Sequence, residues 1–175
     1  MSLSPRLAGL CIALLAMTAC ADNRAPSKPA IGDECVVGSW TLQHEENRSG
    51  YSVASIPVAV AGLQGANLVL DATGSETLQF DRSEPLVGIT ADGRMLSITI
   101  RGSATFYIHA DGGKYTESGS VIQMPTTATL AGAPVTDFHS SYSPGTGTYS
   151  CSSKALIVTT ATSVQTDTWS RESTS

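Results

Sequence analysis

Short runs that alternate apolar and polar residues constrain this chain more than any other feature of its sequence. In the run RMLSITIR, Leu96, Ile98 and Ile100 share one parity, while Ser97 and Thr99 share the other. Successive side chains of a strand point to opposite faces, so this pattern is typical of antiparallel strands with one buried face. The runs SATFYIHA and ETLQFD alternate in the same way. The chain is therefore predicted to be all-β.

Turn signals between these runs indicate how the strands are connected. Asp92-Gly93, Asp111-Gly112-Gly113 and Pro144-Gly145 each separate two runs, and such pairs are common in hairpin turns. We expect roughly nine or ten strands, linked mainly by hairpins into an antiparallel up-and-down β-barrel. A β-sandwich is the alternative fold, because tryptophans and disulfides between sheets occur there too.

Residues 52–65, SVASIPVAVAGLQG, depart from this pattern because they are almost all small and apolar. Ile56, Val60 and Leu63 could share one face of a helix, whereas Ile56, Val58 and Val60 alternate as in a strand. We favour a short helix that covers one end of the sheet, with a strand as the alternative.

The N-terminus has the features of an export signal. Arg6 precedes an apolar stretch that is too short to span a membrane comfortably and ends in small residues. Its end, Met17-Thr18-Ala19-Cys20, resembles the lipobox of bacterial lipoproteins, with methionine where leucine is usual. The resemblance implies cleavage after Ala19 and acylation of Cys20, with palmitate among the acyl chains. The alternative is ordinary signal cleavage that leaves Cys20 as a free thiol.

The lipobox resemblance also accounts for the four cysteines. Cys11 would leave with the signal and Cys20 would carry the lipid, so Cys35 and Cys151 would remain. An exported protein resides where disulfides form. We therefore expect a Cys35–Cys151 disulfide that fastens the start of the domain to a late strand.

These features predict a linear layout and a location. The segment after Cys20 is polar and contains two prolines, which is typical of a tether. The location is the cell envelope, with the protein anchored in the cell membrane or the outer membrane and facing away from the cytoplasm. The expected parts are a signal peptide (1–19), a lipidated cysteine with its tether (20–33), a barrel domain (34–172) and a tail (173–175).

Residues at the two ends of the predicted domain carry a second resemblance. Gly38-Ser39-Trp40 follows the first cysteine, Tyr149-Ser150-Cys151 precedes the last strands, and Arg171 lies near the C-terminus. This order resembles the lipocalins and the wider calycin superfamily, and most of all small bacterial lipocalin-like lipoproteins. The resemblance implies that Trp40 lies across the closed end of a barrel, with Gly38 beside it and the Arg171 guanidinium over it. Such a pair contributes about 0.5–2 kcal/mol.

The sequence offers little for catalysis or metal binding. His44, His109 and His139 show no metal-ligand spacing. Asp137, His139 and Ser140 are too close along an extended strand to converge as a catalytic triad. We therefore predict no enzyme, no metal and no cofactor. A net charge of −5 also argues against nucleic acid as a partner.

Three functions remain open. The first is a non-enzymatic envelope lipoprotein that binds or carries a small apolar ligand, such as a fatty acid, inside the barrel. The second is a filled barrel that engages an envelope protein on its surface. The third, an enzyme, would need acidic or histidine side chains clustered in one pocket. The residues predicted to line a ligand site are the inward apolar ones, Leu78, Phe80, Leu96, Ile98 and Phe106.

Overall fold

A computed structural model describes residues 31–53, 56–161 and 165–172, with the backbone alone for residues 47–53, 56 and 57. The predicted signal peptide, Cys20, residues 21–30 of the tether and the tail lie outside the described residues.

The described chain consists of β-strands and one 3₁₀ turn. The turn, Glu34–Val36, comes directly before the first strand. The strands are β1 (Gly38–Val53), β2 (Ile56–Ala61), β3 (Asn67–Leu70), β4 (Ser75–Gln79), β5 (Leu86–Ile89), β6 (Met95–Ile100), β7 (Ser103–Asp111), β8 (Lys114–Ser118), β9 (Ile122–Met124), β10 (Thr126–Leu130), β11 (Ala133–Pro134), β12 (Ser140–Tyr142), β13 (Thr146–Cys151), β14 (Ala155–Thr160) and β15 (Gln165–Arg171).

Eight of these strands close into an antiparallel barrel. Strands β1, β3, β4, β7, β8, β13, β14 and β15 pair in that order, and β15 returns to pair with β1. Because barrel order follows chain order, the barrel is an up-and-down meander with insertions. This architecture confirms the fold class predicted from the alternating runs, and the sandwich alternative does not apply.

A second part of the sheet extends sideways from the barrel. The later half of β1 runs past the barrel and pairs with β2, and β5, β6, β10 and β11 follow in order. We call these strands the side sheet. Val58, Val60, Leu86, Leu96 and Ile98 are buried on one face of it. Its edge strand β11 has two residues and ends at Pro134, and short, proline-containing edges resist pairing with another chain.

The predicted helix in residues 52–65 is wrong. Val53 ends β1, Ile56–Ala61 form β2, and β2 pairs with both β1 and β5. Val58 and Val60 are buried while Ala59 is exposed, which is the alternation of a strand. The strand ends at Ala61, and the next two residues, Gly62 and Leu63, both adopt positive φ angles. Pairing on both sides supplies the backbone hydrogen bonds that a helix would otherwise make internally.

One end of the barrel, which we call the closed end, is covered by Trp40. This side chain is 0% exposed, and its Nε1–H donates to the Val36 carbonyl at 2.9 Å. The Arg171 guanidinium lies over the indole, with Cζ 4.2 Å from the ring centroid. Arg171 also donates to the carbonyls of Val37 and Cys35, at 3.0 and 2.7 Å.

Gly38 leaves room for that guanidinium. A Cβ at this position would lie 2.5 Å from Nη1 of Arg171, and Gly38 has a φ of +143°. The residue beside Gly38 is thus the arginine, and a side chain here would displace it.

The chain before β1 packs on the closed end. The Gly32 N–H donates to the Ala110 carbonyl at 2.8 Å, and the Tyr149 hydroxyl donates to the Asp33 carboxylate. Residues 31–33, which the sequence assigned to the tether, therefore belong to the folded domain. The predicted disulfide is also present, and it joins Cys35 in the 3₁₀ turn to Cys151 at the end of β13, with 6.1 Å between their Cα atoms.

The opposite end, which we call the cavity end, is covered by a two-stranded ribbon of β9 and β12. Ser140 pairs with Met124, and Tyr142 pairs with Ile122. Tyr142 packs against two barrel rings, with centroid distances of 5.3 Å to Phe106 and 6.4 Å to Phe80. The cover at this end is thus an insertion between β8 and β13, whereas β2 lies in the side sheet.

Candidate functional site

Four acidic side chains from four barrel strands form a cluster in the interior. Glu45 on β1, Glu76 on β4 and Asp167 on β15 are 2%, 5% and 7% exposed, and Glu117 on β8 is half-buried. We call these four residues the interior carboxyl cluster. Buried carboxyl groups are costly unless they are protonated or hydrogen-bonded, so their partners decide what the interior can bind.

A β-bulge determines which residue of β1 joins the cluster. Leu42 pairs with Trp169 and His44 pairs with Thr168, so Gln43 is an extra residue between them. Without the bulge, strict alternation after Leu42 would point His44 inward. With the bulge, Glu45 is buried and lies directly opposite Asp167.

Glu76 and Glu117 are hydrogen-bonded to each other. The pKa of Glu76 is raised well above its usual value, first by burial and then by the charge of Glu117. Burial also raises the pKa of Glu117, although a hydrogen bond of 2.7 Å from the Gly145 N–H to Oε2 stabilises its charged form. Glu76 therefore holds a proton and donates it to Glu117. Its Oε2 is buried and finds no hydrogen-bond partner among the described residues.

Burial also changes the ionisation of Asp167, which faces Glu45 across the β1–β15 pair. Burial raises its pKa to about 6, although Gln165 and His44 both favour the charged form. The Gln165 Nε2 donates to both carboxylate oxygens at 3.0 Å. At pH 7 most of the molecules therefore carry a negative charge here.

Two tyrosines complete the polar interior. The hydroxyl of Tyr115 lies 2.8 Å from Oγ1 of Thr160, and burial raises the pKa of Tyr115 to about 12. Burial raises the pKa of Tyr142 well above its usual value, and the Glu117 charge adds to this effect. Gly147 makes room for Tyr115, because a Cβ there would lie 2.6 Å from its ring and 2.1 Å from the Thr159 carbonyl oxygen.

The cluster borders two cavities. The larger of these two, which we call the main cavity, measures about 230 Å³ and lies at the cavity end between the barrel and the β9–β12 ribbon. Its walls combine apolar side chains (Leu63, Phe80, Ile100, Met124) with polar ones (Glu45, Glu117, Ser140, Ser141, Tyr142, Ser143, Thr160, Gln165). A smaller void of about 30 Å³ lies deeper, beside Glu76, Tyr115 and Glu117. This void has room for about one water molecule. Glu117 borders both spaces.

The five residues predicted to line a ligand site are all buried, but only one of them lines the main cavity. Phe80 lines the main cavity, whereas Leu78 and Phe106 pack in the barrel core and line neither of the two spaces. Leu96 and Ile98 belong to β6 in the side sheet, so they do not line the barrel. The prediction for these two fails because alternation shows that a strand has a buried face but not which sheet covers it.

The carboxyl cluster was missed, although the sequence contains a signal for three of its members. Glu76 has the same parity as Leu78 and Phe80, and Asp167 has the same parity as Trp169. Glu117 likewise follows Tyr115 by two positions. Applying alternation to polar residues as strictly as to apolar ones would have placed these carboxyls inside. Glu45 could not be placed in this way because of the bulge.

The described residues contain no group of three or more His, Cys, Asp or Glu side chains arranged to hold a metal ion. Within the same residues, no helix is long and apolar enough to cross a membrane. Comparisons with protein-family models, with curated proteins and with solved structures found no match. The site must therefore be interpreted from its own chemistry.

Proposed function

We propose that this protein is a lipid-anchored lipoprotein of the cell envelope that binds or carries a small, mainly apolar ligand in its barrel. The observation that carries the proposal is the main cavity of about 230 Å³ at the cavity end. Ligand sites in proteins are typically concave and mainly apolar, with a few polar groups that orient the ligand. The main cavity provides four apolar side chains for contact with the ligand and a larger number of polar groups that would orient it.

The size of the cavity limits the ligand. Sites for drug-sized molecules measure about 300–1,000 Å³, so a cavity of 230 Å³ fits a smaller molecule. Leu63, Phe80, Ile100 and Met124 provide the apolar contacts, and a thioether adapts well to ligands of different shape. The serines of the ribbon offer hydroxyl groups at the rim.

The anchoring part of the proposal depends on the sequence. The lipobox resemblance at Cys20 supports acylation, and the Cys35–Cys151 disulfide suits an exported protein. Two or three acyl chains would hold the protein at a membrane, since a single chain binds only marginally. Intact mass of the protein from its own cells tests this part, because acylation adds the mass of the lipid at Cys20.

The carboxyl cluster provides the clustered acidic side chains that an enzyme would need, but its geometry supports ligand binding better than catalysis. Glu76 and Glu117 are bonded to each other, and the void beside them holds about one water molecule. A pair of carboxyls that cleaves glycosidic bonds needs about 5 Å or more between its members to admit the substrate.

A surface that engages a protein partner is the second candidate. Ile89 and Met95 face each other on β5 and β6 and are 61% and 53% exposed, and Val87 on β5 is exposed beside them. Exposed apolar groups of this kind occur at interaction sites. Cross-linking in intact cells with and without Ile89→Ser tests this candidate, which predicts a partner that is captured only by the unmodified protein.

Native mass spectrometry of the exported protein tests ligand binding. We expect a co-purifying adduct, and we expect Thr160→Trp to remove it because this side chain points into the main cavity. Thr159→Trp is the matched control, since the neighbouring residue is exposed on the outer face. Thr160→Leu serves as a milder variant if the tryptophan prevents folding. An adduct-free protein that also fails to bind added small molecules would contradict the proposal.

A further inference from the structure

We propose that the main cavity selects a guest with a cationic nitrogen, such as an ammonium group on a short apolar body, and rejects carboxylates such as fatty acids. This inference rests on the proposed function and narrows its ligand class. It follows from the carboxyl groups that line the cavity, the unpartnered oxygen of Glu76 at the neighbouring void and the apolar residues in the cavity lining.

The ionisable side chains that line the cavity, apart from the Tyr142 phenol, are all carboxylic acids. Glu45 and Glu117 contribute carboxyl groups, and among the described lining residues none is Lys, Arg or His. Behind them Asp167 is held by Gln165, which itself lines the cavity. A carboxylate guest would therefore enter a space whose described lining offers it acidic side chains and no basic ones. In a partly buried site such repulsion is screened much less than at the surface.

The interior also has unused capacity to accept hydrogen bonds. Glu76 is 5% exposed and lines the deeper void, and its Oε2 has no hydrogen-bond partner among the described residues. Glu117 connects this void with the main cavity. An ammonium group brings up to three N–H donors and no acceptor, so it matches a site that is rich in acceptors. Bonds between an ammonium and a carboxylate are also about twice as strong as neutral ones.

The remaining walls suit the rest of such a guest. Leu63, Ile100 and Met124 offer apolar contacts for a short chain. Phe80 and Tyr142 add aromatic rings at the same cavity, and aromatic rings attract cations as well as apolar groups. The expected guest therefore has one charged nitrogen and one apolar part.

Three probes of equal chain length distinguish the effect of the head-group charge on affinity from the effect of apolar contact. Hexylammonium, 1-hexanol and hexanoate are titrated into the full exported chain by calorimetry at pH 7.5 and low salt, with detergent blanks. We expect hexylammonium to bind at least about tenfold more tightly than hexanoate, with hexanol between them. The preference should shrink at high salt because the attraction is electrostatic.

Variants that replace a cavity carboxyl with an amide show which residues cause the preference for hexylammonium. Glu117→Gln and Glu45→Gln should each lower the affinity for hexylammonium several-fold and change that for hexanol by less than about twofold. Glu84→Gln is the matched control, because Glu84 is exposed and does not line the cavity. The thermal midpoint of each variant, measured in parallel, separates loss of binding from loss of fold.

The outcomes distinguish this inference from the proposed function. If hexanoate binds as tightly as hexylammonium, or if the glutamine variants keep the full preference, the inference is wrong while ligand binding stands. If hexanol and hexanoate bind and hexylammonium does not, the inference is also wrong. If none of the three probes binds and the protein carries no adduct, the proposed function itself fails.

Discussion

At the scale of single residues, the interior carboxyl groups lower the stability of the folded protein by an amount that depends on pH. The folded-state pKa of Asp167, about 6, lies above its ordinary value of 3.8. The folded protein therefore binds more protons than the unfolded chain between these values, and its stability falls as pH rises through that window. Burial shifts the pKa values of Glu76 and Glu117 in the same direction. This protein should thus be more stable in mild acid than at neutral pH.

Asp167→Asn should remove part of the dependence of the protein's stability on pH. The difference between a pKa of about 6 and 3.8 corresponds to about 3 kcal/mol as an upper limit, so we expect the variant to gain about 1–3 kcal/mol at pH 7.5. The gain should vanish near pH 3.5, where both forms of the site are neutral. Urea unfolding across this pH range measures the effect. Asp137→Asn, at an exposed residue, is the control, and equal effects of the two variants would contradict the assignment.

Arg171 acts through its shape as well as its charge. Its guanidinium covers Trp40 and reaches the carbonyls of Val37 and Cys35 together, which a lysine ammonium cannot reproduce. We expect Arg171→Lys to lower the free energy of unfolding by about 1–3 kcal/mol. Arg94→Lys, in an exposed ion pair with Asp92, should change it by less than about 0.5 kcal/mol. Comparable losses in both variants would argue against a special role for the closed end.

At the scale of elements, the bulge in β1 sets the inward residue at the cavity end. Gln43 and His44 are both exposed, and removal of the extra residue Gln43 would restore regular alternation while Glu45 stays inside. Deletion of Gln43 should therefore leave a folded protein with an intact disulfide. Deletion of Thr168 from the facing strand should unfold the protein, because Asp167 and Trp169, which now share the inner face, would become neighbours on opposite faces. Near-ultraviolet circular dichroism compares the two deletions.

The same elements show what the sequence could and could not predict. Alternation of apolar and polar residues was sufficient to predict the buried faces of β4, β6 and β7. In a strand with one covered face, the burial pattern must repeat every two residues. Alternation was not sufficient for β2, where alanines and a proline blur the period. Nor could it show that β5 and β6 join the side sheet, because partner choice depends on contacts between residues that are distant along the chain.

The candidate site was also only partly predictable from the sequence: the closed-end residues were predicted, whereas the carboxyl cluster and the ribbon were not. Cys35 and Trp40 lie at the start of the folded domain, and Cys151 and Arg171 lie in its last three strands. A closing barrel brings these two parts of the chain together. The carboxyl cluster needed the inward parity of polar residues, and the bulge before Glu45 leaves no mark in the sequence. The ribbon over the cavity end arises from β9 and β12, which have three residues each and too short a pattern to recognise.

At the scale of the whole molecule, the disulfide ties the start of the folded domain to the end of β13 across a separation of 116 residues. Loop-entropy models give a loop of this length about 4–5 kcal/mol as an upper limit. We expect Cys35→Ala together with Cys151→Ala to lose about 2–4 kcal/mol of unfolding free energy. Reduction of the unmodified protein should give a similar loss. A double variant as stable as the oxidised protein would show that the packing of residues 31–36 is sufficient by itself.

The positions of the two barrel ends have a consequence for orientation. The described chain begins at Ile31 beside the closed end, while the main cavity lies at the opposite end. With an acylated Cys20, the tether would pull on the closed end and the cavity would open away from the bilayer. A fluorophore at Ser141 should then resist quenchers placed within the membrane, and strong quenching would contradict this arrangement. A guest would accordingly arrive from the aqueous side, as a dissolved molecule, and would not be drawn from among the lipids to which the protein is anchored.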